Sequence, residues 1–265
     1  MRQMTTRIPW RPWFLVAAWL ALSLKGVQAG QDPPTAGIPQ ILQSTIASYQ
    51  NSLRGVVGMQ RHFTTIINAG IAKHSEQSSS GLLLNNDVFA GAHYYRIVDD
   101  GKAFSAAQVK TRDTQTNQGW SAGKIFFKEP YDRQFVADYT FTTVSPCTTC
   151  SNGIVAIKFS SGKHDDQHGS GTMWIDSARH RVVKLTYVPY ALPQHATSGT
   201  VTETSGQALP NLWYVVRIDE VYAGRELLFR GTGTFTGIMD HFQRFATLAA
   251  GKNALANGTI GAVQP

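Results

Sequence analysis

Few side chains in this sequence sit at spacings that could do chemistry, and the sharpest pair is Cys147-Thr148-Thr149-Cys150. Two cysteines this close form a disulfide, a redox couple or half of a metal site. A redox couple needs a thiolate stabilised at a helix N-terminus, and the following Ser151-Asn152-Gly153 starts no helix. A zinc site needs a second pair of ligands, and no suitably spaced histidine follows. A structural disulfide at a hairpin tip is the expectation, with strands predicted over Gln134–Val144 and Ile154–Phe159 on either side. The one dense group of potential metal ligands is His164-Asp165-Asp166-Gln167-His168. Gly162, Gly169 and Gly171 surround it, so it reads as a solvated loop that would order ligands only at an entropic cost.

Hydrolytic chemistry finds no foothold. His168-Gly169-Ser170-Gly171 lacks the spacing of a nucleophile elbow. Paired carboxylates could be drawn from Asp138, Asp176, Asp219 or Glu220, but nothing singles out two of them for glycoside hydrolysis. There is no phosphate-binding glycine loop and no dinucleotide fingerprint. The expectation is a protein that is not an enzyme and needs no cofactor or metal, with a secreted hydrolase as the weakest alternative.

The elements that must position these residues are mostly strands. Gly171–Pro189 reads as a β-hairpin: Thr172–Asp176, a connection that starts with Asp176-Ser177, then Val182–Val188. Val183, Leu185 and Tyr187 alternate with Lys184 and Thr186, so one wall meets a core and the other is wetter. The same grammar predicts strands over His62–Ala72, Ala92–Val98, Lys124–Lys128, Leu212–Val221 and Glu226–Phe235. Asp99-Asp100-Gly101-Lys102 is a hairpin turn. Ser105–Gly119 is a surface helix or a long loop, and Ala191–Gly206 a Thr/Ser-rich loop or weak strand. One clear helix is predicted over Ile38–Leu53, with Ile38, Ile41, Leu42, Ile46, Tyr49 and Leu53 on one face.

The ends are read separately. Arg2, Arg7 and Arg11 precede an apolar run of 12 residues, Trp13–Leu24, and a small-residue site ending at Ala29. This is the pattern of a cleaved secretory signal over residues 1–29, and the run is too short to span a bilayer. No later run approaches a spanning length. The leader holds four of the 24 basic residues and none of the 17 acidic ones, so the remainder has 20 against 17, a net charge of +3. That excludes a nucleic-acid footprint. Residues 30–249 are expected to form a single domain, and 250–265, rich in Gly, Ala and Asn, a flexible C-terminal tail. The location expected is periplasmic or extracellular.

The order of leader, amphipathic helix and antiparallel meander, ending in Gly171-x-Met-Trp174-Ile175-Asp176-x4-Arg181-Val182-Val183, resembles the LolA-like superfamily of bacterial periplasmic lipoprotein-sorting proteins. Weaker support comes from Trp213–Ile218 and Phe229–Phe235. The resemblance implies a mainly β (α+β) fold, a curved antiparallel half-barrel with the N-terminal helix on its concave side. It implies a ligand with an acyl chain, from a lipid or a lipoprotein, or else another envelope protein as partner, as in sigma-factor regulators of similar fold. The apolar lining would then come from Phe135, Tyr139, Phe141, Met173, Ile175, Leu185, Tyr187, Trp213 and Val215. The same residues could instead pack a closed core against Ile41, Leu42, Ile46 and Tyr49.

Overall fold

The computed structural model describes residues 37–49, 54–70, 72–86, 88–121, 127–145, 147–148, 150–193, 195–226 and 229–261. The leader, Leu53 and Lys124–Phe126 lie outside the described residues. Among the described residues, eleven strands form one antiparallel sheet, curved and unclosed. They are β1 (Val56–Ala69), β2 (Ala72–Asn85), β3 (Val88–Asp99), β4 (Lys102–Ala103), β5 (Tyr139–Thr143), β6 (Ile154–Ser161), β7 (Gly169–Asp176), β8 (Arg181–Pro189), β9 (Ala196–Leu209), β10 (Leu212–Glu226) and β11 (Phe229–Phe245). The order across the sheet is β4-β3-β2-β1-β11-β10-β9-β8-β7-β6-β5. Every neighbour is a hairpin partner except β1 and β11, which bring the two halves of the meander together.

The Asp100-Gly101 turn joins β3 to β4 with both φ angles positive, at 46° and 78°, as a two-residue hairpin of the right twist demands. The β7–β8 hairpin differs from simple alternation. Trp174 pairs with Lys184, but Ile175 pairs with Val182, so Val183 is the extra residue of a bulge. Val182, not Val183, therefore enters the core beside Leu185 and Tyr187. On the outer face Lys184 lies 4.9 Å from the Trp174 ring centroid. Gly171 is needed where it stands, because a Cβ there would fall 2.0 Å from the Thr186 carbonyl oxygen.

Helix α1 (Gln40–Tyr49) lies on the inner side and buries Leu42 and Ile46 against that face. Its last turn is tied to the β7–β8 turn. Arg181 donates to the Ser48 carbonyl at 2.6 Å and lies 4.9 Å over the Tyr49 ring, while Ser48 Oγ donates to the His180 carbonyl. A cation at a helix C-terminus also suits the helix dipole. Residues 105–119 resolve into a helix, α2 (Ala106–Ser121). It lies along β3, beyond the two residues that β4 covers. Asp113 accepts the Tyr94 amide at 2.7 Å, and Asn117 both accepts the Ala92 amide and donates to its carbonyl. Polar side chains thus do for this edge what a further strand would.

Three expectations are corrected. Strand character begins at Tyr139, not Gln134, because Asp132 gathers the backbone N–H groups of Phe135 and Val136 on its carbonyl and that of Gln134 on its carboxylate. Phe127 and Lys128 belong to no strand. The C-terminal residues 250–261 do not fray. Thr247 caps α3 (Leu248–Ala256) by accepting the Ala250 amide, and Leu255 and Ile260 bury against Val56 and Leu83. Leu83 alternates with Leu82 and Leu84, which face the main core, so α3 covers the outer side of the sheet.

Candidate functional site

The inner face is built in rows by the register. One row runs Ile157, Met173, Leu185, Glu203, Ile218 from β6 to β10. The next runs Phe141, Phe159, Gly171, Tyr187, Val201, Glu220, Phe235 from β5 to β11. Over them lie α1 and the segment 127–138. Phe127 stacks on Tyr187 at 3.8 Å between centroids, Tyr131 meets Tyr49 at 5.0 Å, and Val136 is fully buried. Such ring contacts are worth about 0.5–1.5 kcal/mol each beyond burial, so the cover is held by a handful of aromatic contacts.

Of the nine residues predicted to line this face, Tyr139, Met173, Ile175, Leu185, Tyr187 and Val215 are buried in one cluster, with Phe135 and Phe141 packed at its margin. Phe135 reaches it from a turn, not a strand, and Lys128 lies over its ring. Trp213 is half-buried and spends its indole N–H on the Val182 carbonyl at 2.8 Å. Tyr139 donates to the Lys128 carbonyl. Cys147 and Cys150 form the expected disulfide. His168 is corrected: it is fully buried, with Nδ1 2.6 Å from Asp165 and Nε2 3.1 Å from Asp138, which also holds Lys163 at 2.6 Å. Burial alone would raise the Asp138 pKa, but hydrogen bonds from Lys163 and His168 hold it below the usual range. This clamp braces the 162–168 loop and offers an imidazole partners that make its burial affordable.

Of the polar members of the inner face, sequence reasoning named Glu220 only as one of four unpaired carboxylate candidates and missed the rest. Glu203 is 1% exposed and Glu220 6%, and Glu129 of the covering segment is 6% exposed. Tyr187 donates to Glu203 Oε1 at 3.4 Å, while Oε2 has no hydrogen-bond partner among the described residues. Burial, then the nearby Glu129 carboxyl, pushes Glu203 well above the usual carboxylate range, against the pull of Tyr187. Burial pushes Glu220 to about 8, although Tyr222 hydrogen-bonds it. Burial thus favours the protonated form of Glu203 and Glu220, which presents an O–H donor. A fourth polar residue, Arg61, is 2% exposed between Met59 and Phe63, with its guanidinium 5.3 Å from the Phe63 ring. Burial lowers its pKa, against the influence of Tyr94, Tyr214 and Tyr95. Glu203 carried one signal: it shares parity with Val201 in a Val-Thr-Glu run.

No family model matches the chain, and no curated protein does. Among solved structures the chain is similar to an outer membrane lipoprotein-sorting protein domain from Vibrio parahaemolyticus (13% identity, 84% of this chain and 97% of that one, TM-score 0.38). It is also similar to a LolA superfamily protein from Nitrosomonas europaea (9%, 77% and 93%, TM-score 0.38). A DUF1329 family protein from Desulfovibrio piger follows (10%, 82% and 95%, TM-score 0.36). The first two bear the names that the hairpin pattern resembles. Scores this low carry nothing about the site, which rests on the residues above.

Proposed function

We propose that this chain is an exported cell-envelope binding protein that holds an acyl chain or other apolar ligand between the inner face of its sheet and the cover formed by α1 and residues 127–138, in lipid or lipoprotein trafficking. Glu203 carries the reading. An unpartnered buried polar group costs about 1–3 kcal/mol, and a core built only for stability has no use for one at the centre of an apolar row. Apolar walls with a few convergent polar groups of shifted pKa are the chemistry of a ligand site. The leader pattern and the disulfide support export.

Native mass spectrometry of the protein recovered from a bacterial periplasm tests this. The expected result is an added mass that organic extraction releases as acyl lipid. A clean apo mass, with no uptake of a fluorescent fatty-acid probe, contradicts the reading and leaves docking of another envelope protein to be tested.

A further inference from the structure

Glu203 of β9 and Glu220 of β10 stand in adjacent rows on neighbouring strands of the inner face, and buried Glu129 of the covering segment acts electrostatically on Glu203. The charged groups that act on Glu203 are the other two carboxyls. Among the described residues, the tyrosines that act with these carboxyls are Tyr187 on β8, Tyr131 beside Glu129, Tyr222 beside Glu220, and Tyr49 on α1. Arg181 lies over the Tyr49 ring and donates to the Ser48 carbonyl. Arg61 stands on β1, which β11 and β10 separate from β9. At the sheet's strand spacing that is about 14 Å away.

A buried carboxyl group is stable with a proton or with a cation. Burial favours the protonated form of Glu203 and Glu220, and one carboxyl oxygen, Glu203 Oε2, has no hydrogen-bond partner among the described residues. The row that carries it is otherwise apolar: Ile157, Met173 and Leu185 on one side, Ile218 on the other.

We infer that the ligand held against this face is a cationic amphiphile, its ammonium group seated on Glu203 beside Glu220, and its chain along the Met173–Leu185 row. This rests on the proposed reading and names the ligand's head. Binding the ammonium exchanges it for protons: each carboxyl that becomes a carboxylate releases one proton to solvent, and the ammonium keeps its own.

Titration of the purified chain with three probes of equal length, dodecylammonium, dodecanol and dodecanoate, each below its micelle concentration, separates the possibilities. Dodecylammonium is expected to bind at least about tenfold more tightly than dodecanol. Its affinity rises from pH 6 to 8, by up to about tenfold per unit for one proton released, while that of dodecanol stays flat. Calorimetry in buffers of different ionisation enthalpy reads the released proton directly. Glu203→Gln abolishes the ammonium preference, so that its affinities for dodecylammonium and dodecanol fall within about twofold of each other. These comparisons on the unaltered chain need no variant to fold. Equal affinity for the ammonium and the alcohol, or a preference for dodecanoate, overturns the inference and leaves the apolar-ligand reading standing. Failure of all three probes to bind overturns both.

Discussion

Glu220 is where a single residue sets a property of the whole protein. Its side chain is 6% exposed, and burial raises its pKa from 4.5 to about 8. The folded state therefore holds a proton that the unfolded chain releases above about pH 4.5. Stability from this group is complete below pH 4.5 and is lost as pH rises towards 8, by at most about 1.4 kcal/mol per unit. Glu203 is shifted in the same direction. The aspartates 100, 138, 165, 176 and 219 are shifted down, so their contributions fade only at acid pH. Thermal melts of the parent and of Glu220→Gln should therefore diverge between pH 5 and 8, the variant gaining relative to the parent as pH rises. Parallel melting curves across that range would show that Glu220 does not keep its proton.

At the scale of elements, α2 is the piece whose role is clearest from its contacts. Asp113 and Asn117 take up the backbone groups of Ala92 and Tyr94 on the β3 edge. Asp113 also holds His93 at 2.7 Å. The double change Asp113→Ala and Asn117→Ala should cost about 1–3 kcal/mol for each backbone group left unpaired. It should also open an edge that pairs with a second copy. Light scattering should show concentration-dependent dimers, and hydrogen exchange should speed up at the Ala92 and Tyr94 amides. A monomer with unchanged exchange there would mean that α2 guards nothing.

The elements also show what was legible beforehand. The β7–β8 hairpin, the β3–β4 turn and α1 were readable, because apolar alternation, an Asp-Gly pair and a 3.6-residue period each act locally. The bulge at Val183 was not, since it arises from pairing with β7. Nor was β9, whose Thr, Ser and Gly residues have no strong alternation and which becomes a strand because β8 and β10 flank it. The same blindness hid Glu203. Helix α3 was missed for a related reason: only Leu255 and Ile260 bury deeply, and the outer-face glycines Gly58 and Gly81 leave the room they occupy. Six of the nine proposed lining residues fall in one buried cluster because strand parity is a local rule. Trp213 is half-buried and keeps company with a backbone carbonyl instead.

For the whole molecule, the sheet is broad, unclosed and covered unevenly. The inner face carries a short helix and a turn-rich segment, and the outer face carries α3 over β1, β2 and β3. The two faces differ in kind. Inside lie Leu185, Val215 and Ile218 with buried carboxyls among them; outside, Val188, Val221 and Ile238 are 46%, 54% and 40% exposed. A ligand that enters beneath the cover touches the first set and not the second. Methyl-resolved NMR of the chain titrated with a nitroxide-labelled long-chain alcohol reads this contrast in one experiment. The account predicts selective broadening of the Leu185, Val215 and Ile218 methyls, with Val188, Val221 and Ile238 unaffected. Broadening confined to the outer valines and Ile238, or no broadening at any concentration below the micelle threshold, would contradict it.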